Sequence, residues 1–172
     1  MFLAAVPALL LMTSCQEKKQ QTQAQDTVTV QTKTVRTLPA YAYSDSVTVG
    51  SHKVVYMIAG MADETLPVVV DDDEFQCYDM RYTLAIEKDK QPLFNRSFTK
   101  VDFNAWLTED FKKCGVMGGM RFNKAEDGKL FFNACVCMPE SDMMCPFILT
   151  IGPDGSYAIE VDTSIEDDMA DI

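Results

Sequence analysis

Sulfur is the part of this sequence best placed to do chemistry. Residues 135–145 read Cys-Val-Cys-Met-Pro-Glu-Ser-Asp-Met-Met-Cys, which sets Cys135, Cys137 and Cys145 beside Met138, Met143 and Met144. Thiolates and thioethers are soft donors that select ions such as Cu(I), so these six residues form a candidate soft-metal site. Structural zinc sites use Cys-x2-Cys spacing or histidine partners, and this segment has neither. The plainer use of the same residues is packing: methionine fills core gaps, and cysteine acts as a small hydrophobe or closes a disulfide. Cys77, Cys114, Cys135, Cys137 and Cys145 are all disulfide candidates, and an odd set leaves at least one thiol without a partner in the chain. Cys135 and Cys137 share a face of one strand with Cα atoms about 6.5 Å apart, the edge of what a disulfide spans. Cys145, across the loop from Pro139 to Asp142, is the more natural partner for either.

Other constellations promise less. Asp71-Asp72-Asp73-Glu74 offers carboxylate oxygens for Ca²⁺ but lacks the Asp-x-Asp-x-Asp-Gly spacing, and a solvated loop is the commoner outcome. The single histidine, His52, falls in an expected turn, and no Gly-x-Ser-x-Gly elbow, phosphate-binding loop or His-Glu-x-x-His accompanies it. A thiol–disulfide enzyme uses Cys-x-x-Cys at a helix start, where the dipole lowers the thiol pKa. Here Cys135-x-Cys137 lies in a strand and Cys114 at the C-terminal end of a helix. The sequence therefore predicts a non-enzymatic protein that needs no cofactor.

The elements that would position these residues are mostly strands. Tyr78, Met80, Tyr82, Leu84 and Ile86 alternate with mostly polar neighbours, the period of a half-buried strand. Lys88 to Pro92 turns it back into Leu93 to Phe98. Gly118 to Asn123 and Leu130 to Met138 flank Asp127-Gly128, a strong hairpin dipeptide. Pro146 to Ile151 and Tyr157 to Asp162 flank Gly152-Pro153-Asp154-Gly155, and Ser46 to Val49 and Val54 to Met61 flank Gly50 to Lys53. Thr27 to Val35 is β-branched but polar, at best an edge strand. One segment changes period: Phe103, Trp106, Leu107 and Phe111 form a helical stripe, with Thr99 and Asp102 at its start and Cys114-Gly115 at its end. The expected fold is mainly β (α+β): an antiparallel β-meander sheet with one short amphipathic helix packed on it.

The N-terminus reads as an address. Phe2 to Met12 is apolar and uncharged, too short to span a bilayer, and is followed by Thr13, Ser14 and Cys15. This resembles a bacterial lipobox, in which cleavage before the cysteine precedes its lipidation, although Met12 stands where leucine is usual and no Lys or Arg precedes the run. Gln16 to Gln25 is polar and Gln-rich and cannot bury enough surface to offset its ordering entropy. The expected organisation is a signal peptide at 1–14, a lipidated Cys15 with a flexible tether at 15–39, one β-rich domain at 40–165 and an acidic tail at 166–172. The net charge is −11, and the tether is mildly basic, so the body is more acidic than the whole. That excludes nucleic acid as a partner and disfavours a domain lying flat on an anionic membrane.

Phe94-Asn95-Arg96-Ser97-Phe98-Thr99-Lys100-Val101-Asp102-Phe103, the acidic Thr108-Glu109-Asp110-Phe111 turn, Gly119 before a Phe-centred strand and the closing Val161-Asp162-Thr163 resemble a family catalogued as domain of unknown function 4738 (DUF4738). The likeness runs from about Val47 to Thr163. It implies a small envelope lipoprotein of Gram-negative gut bacteria with a single β-rich domain, and it implies no activity. Cys114, Cys135, Cys137 and Cys145 stand where ordinary strand residues are expected of the family. The reading that results is a lipid-anchored envelope protein, on the periplasmic side of the outer membrane. It acts as a binding or structural module toward other envelope components; the alternative is a Cu(I)-binding protein that uses the Cys135–Cys145 loop.

Overall fold

The computed structural model describes residues 34–71 and 75–164. The signal run, Cys15, most of the tether, Asp72 to Glu74 and the acidic tail lie outside the described residues.

All four expected hairpins form, three of them with tighter turns than their flanking residues suggest. β1 (Tyr41–Val49) and β2 (His52–Ala62) reverse at Gly50, which takes φ 62°, so His52 and Lys53 belong to the second strand rather than the turn. A small pair, β3 (Val68–Val70) and β4 (Gln76–Tyr78), follows. β5 (Met80–Lys88) and β6 (Gln91–Phe98) are joined by Asp89 and Lys90 alone, at φ 50° and 66°. Both central residues of a type I′ hairpin turn, one of the two whose twist matches that of the strands, adopt positive φ. β7 (Val116–Glu126) and β8 (Lys129–Cys137) turn at Asp127-Gly128, and β9 (Met144–Ile151) pairs with β10 (Tyr157–Val161).

The strands form two four-stranded antiparallel sheets, β1-β2-β5-β6 and β10-β9-β8-β7, instead of the one meander expected. The physical reason is that each sheet has one apolar face. Val54, Tyr56 and Ile58 of β2 and Met80, Tyr82, Leu84 and Ile86 of β5 bury theirs against Leu130, Phe132, Ala134 and Val136 of β8 and Phe147, Leu149 and Ile151 of β9. One core fills the space between. The seam between β6 and β10 is closed by aromatic contacts. Tyr157 lies 5.9 Å from Phe94 and 5.8 Å from Phe98, centroid to centroid, and Arg96 sits 4.7 Å from the Tyr157 ring centre.

The single amphipathic helix is also corrected. The chain crosses between the sheets through a 3₁₀ turn, Lys100–Phe103, and a separate α1 (Glu109–Cys114). Asp102 accepts a hydrogen bond from Thr99 N at 2.9 Å, which fixes the first turn, and Thr108 caps α1 by accepting from Phe111 N. Two starts in one stripe break it. Phe103 and Leu107 are buried, while Trp106 is 43% exposed.

The folded body begins before residue 40. Arg36 bridges Cys77 of β4: its N–H donates to Gln76 O at 2.8 Å, and its carbonyl accepts from Tyr78 N at 3.0 Å. Its guanidinium stands 4.7 Å from the Phe75 ring centre. Beside this bridge lies a buried polar knot. Asp79, between β4 and β5, accepts from Met80 N at 2.7 Å and from Met117 N at 2.9 Å, and Lys100 Nζ donates to Gly115 O at 2.6 Å. Asp79 thereby ends the strand that periodicity would start at Tyr78, and it ties the first sheet to the start of β7.

Cys77 is fully buried with Val69 and Val116. Burial, with Asp79 and Asp71 nearby, pushes its thiol up to about 11. A raised folded pKa stabilises the fold below the ordinary thiol range, and that stability is lost as pH rises toward 11. Two pH units correspond to about 2–3 kcal/mol. Urea unfolding should show a larger loss between pH 7.5 and pH 10.5 in wild type than in Cys77→Ala, the variant recovering about 2 kcal/mol while buried Tyr56 and Tyr82 keep their share; an equal loss in the variant would refute the assignment.

Candidate functional site

The site is built around an irregularity in β7. Met117 pairs with Val136 and Gly119 with Cys135, so Gly118 is an extra residue in the ladder, a β-bulge. Alternation on β8 turns Val136 into the core and turns Cys135 and Cys137 away from it. The two sulfurs stand 3.5 Å apart. They lie over Gly118: a Cβ there would overlap Cys137 Sγ and come within 3.0 Å of Cys135 Sγ. Only glycine leaves room for both sulfurs.

The pair is electrostatically asymmetric. A hydrogen bond from the Cys135 thiol brings Cys137 down to about 7, and the same interaction, then burial, pushes Cys135 up. The interaction makes Cys137 the more acidic sulfur of the pair and Cys135 the less acidic one. β9 supplies the flank. Met144 pairs with Cys137 and Pro146 with Cys135, so both share the thiols' face, and Met144 is 53% exposed. Cys145 pairs with Val136 and turns toward the core.

Beside the dithiol is a cavity of about 460 Å³, in the size range of small-ligand sites. Its walls are Tyr41 and Tyr82 from the first sheet and Gly118, Met120, Arg121, Asn133, Cys135, Met144, Pro146 and Phe147 from the second. The Tyr82 hydroxyl reaches Gly118 O at 3.5 Å, and its ring covers Gly60 so closely that a Cβ there would stand 2.5 Å from Cε1. The lining is mostly apolar, with Arg121, Asn133 and Tyr82 as its polar residues.

The remaining sequence candidates fall elsewhere. Cys114 is buried at the last residue of α1. Met138 N donates to Met143 O at 2.9 Å, closing the β8–β9 loop and leaving the Met143 side chain exposed. Asp71 accepts from Phe75 N at 2.8 Å, while Asp72 to Glu74 lie outside the described residues. His52 Nδ1 meets Asp89 Oδ2 at 2.5 Å on the surface, and among the described residues no hydroxyl or thiol hydrogen-bonds to its ring. All five described cysteines are free thiols. No three of the described His, Cys, Asp and Glu side chains gather around a common point. Sequence reasoning missed Tyr41, Tyr82 and Gly118 as site residues: Tyr82 and Gly118 read as ordinary strand positions, and Tyr41 precedes the strand expected from Ser46, which in fact starts at Tyr41.

The fold and site define an antiparallel β-sandwich with a half-open apolar cavity at one seam and a dithiol on its wall. The chain belongs to the family described as domain of unknown function (DUF4738), whose model matches residues 17–159. No curated protein matches it. Among the described residues, no helix is long and apolar enough to cross a membrane.

Proposed function

We propose that this protein is a lipoprotein of the bacterial envelope, anchored through Cys15 on the periplasmic side of the outer membrane. Its β-sandwich acts by binding another envelope component rather than by catalysis. The cavity beside Gly118 carries this reading: it is apolar, half-open, of ligand size and fringed by the exposed Tyr41 and Met144. Aromatic and methionine side chains at a concave surface are the usual anchors of a binding site. The short apolar run ending at Cys15 and the polar stretch after it support the anchor.

Two measurements in one strain test it. The wild-type chain should sediment with membranes and Cys15→Ser should move to the soluble fraction; an unchanged distribution would remove the anchor. A photo-crosslinking residue at Met144, on the cavity rim, should trap one dominant envelope component. The same probe at Lys90, in the β5–β6 turn, should not. Equal capture at the two positions would remove the cavity as the binding surface.

A further inference from the structure

We propose that Cys135 and Cys137 chelate a thiophilic monovalent cation, of which Cu(I) is the natural case, with the Met144 thioether as third donor. The site needs no anchor, and it shares Cys135 and Met144 with the cavity described above while its test reads metal binding alone.

The argument is geometric. A metal held by two sulfurs at about 2.3 Å in tetrahedral geometry brings them about 3.8 Å apart, and a linear arrangement parts them by about 4.6 Å. The observed 3.5 Å lies near the bent case, so the pair accepts an ion with little movement but only if a further ligand completes the coordination. Met144 stands directly across from Cys137 on the same face, where cross-strand Cβ atoms are about 4.5–5.5 Å apart, and its side chain is exposed and unbranched. Closing a disulfide instead would draw the sulfurs to about 2.05 Å across a Cα span near the upper limit for such bonds.

The donor set suits a soft ion. Two thiols and a thioether on a partly apolar wall, with neither carboxylate nor imidazole, select Cu(I) over Zn²⁺ or Ca²⁺. Binding is ligand exchange with no electron transfer: the ion arrives as Cu(I) on its carrier's ligands, bonds from the two cysteine sulfurs and the Met144 thioether form as those ligands leave, and the cysteine thiol protons pass to solvent. The open cavity beside Cys135 gives the ion its approach, and Gly118 keeps the floor beneath the sulfurs clear. Register separates this set from the wider loop. Cys145 faces the core side of the sheet, and Met138 and Met143 belong to the loop rather than to the ladder.

The full chain carrying Cys15→Ser, reduced and free of oxygen, is titrated with Cu(I) delivered in acetonitrile. One copper per chain should bind, with near-ultraviolet thiolate-to-copper absorption, and should survive millimolar glutathione. Cys135→Ser and Cys137→Ser should each weaken binding at least 100-fold and Met144→Leu about tenfold, while Cys145→Ser should stay within about threefold. A readout that needs no variant is alkylation: copper should protect Cys135 and Cys137, mapped by peptide mass, and leave Cys145 as reactive as in the apoprotein. Loss of the copper to glutathione would overturn the proposal. So would equal losses for Cys145→Ser and Cys137→Ser, or isolation of a Cys135–Cys137 disulfide that binds no copper after reduction.

Discussion

Asp79→Ala is expected to lower the unfolding free energy by about 3–5 kcal/mol, and Asp79→Asn by no more than about 1 kcal/mol. Both expectations follow from what the carboxylate does. It accepts from Met80 N and Met117 N in a buried setting, and alanine would orphan both donors and leave buried Lys100 without a nearby opposite charge. Desolvation raises the Asp79 pKa and lowers that of Lys100, so the charges themselves add little to the fold. The acceptor oxygen is the stabilising part, and asparagine keeps one. Urea denaturation of the two variants decides the matter: equal losses would mean that the charge dominates.

Phe132→Ala should cost about 3–5 kcal/mol, and Phe132→Leu about 1.5 kcal/mol. The Phe132 ring meets Tyr56 of β2 and Phe122 of β7 edge-on, at 5.6 Å in each case, while Tyr56 stacks on Phe122 at 4.8 Å. The three rings join the two sheets, Phe122 at the edge of the core and Phe132 wholly buried within it. Alanine would leave a cavity bounded by two sheets that can approach each other only by moving whole strands. Leucine retains most of the volume and loses the edge-to-face geometry. Calorimetry that finds Phe132→Ala within 1 kcal/mol of wild type would show that the sheets repack freely.

Much of the strand content was legible because alternation and turn chemistry agree. Met80, Tyr82, Leu84 and Ile86 fall on one face by period two, and Asp127-Gly128 allows a backbone conformation that few other pairs take without strain. What alternation cannot report is which other face an apolar face meets, so two sheets sharing a core read the same as one sheet with a helix upon it. The helical stripe misled for a related reason. Phe103, Trp106, Leu107 and Phe111 keep helical spacing, but Thr108 is a better cap than an interior residue and restarts the chain. At the site, the Cys135-x-Cys137 spacing pointed to a shared face. The position of Cys145 and the role of Gly118 depend on cross-strand register and a bulge, which are long-range facts. Tyr82 was legible as core but not as the wall of a cavity.

The two seams of the sandwich are unlike, and this has a mechanical consequence. Along β6 and β10, Tyr157 is wedged among Phe94, Phe98 and Arg96, and Gly155 lies so near Leu93 that a Cβ would come within 2.6 Å of its carbonyl oxygen. Along the other side the cavity intervenes between Tyr41 and the Gly118 bulge. The β7 side is nonetheless tied across, because Asp79 accepts from Met117 N and the Tyr82 hydroxyl reaches Gly118 O there. The cavity is therefore a notch between two tied edges, and the width of its mouth is set by side chains such as Tyr41 and Met144 rather than by the spacing of the sheets.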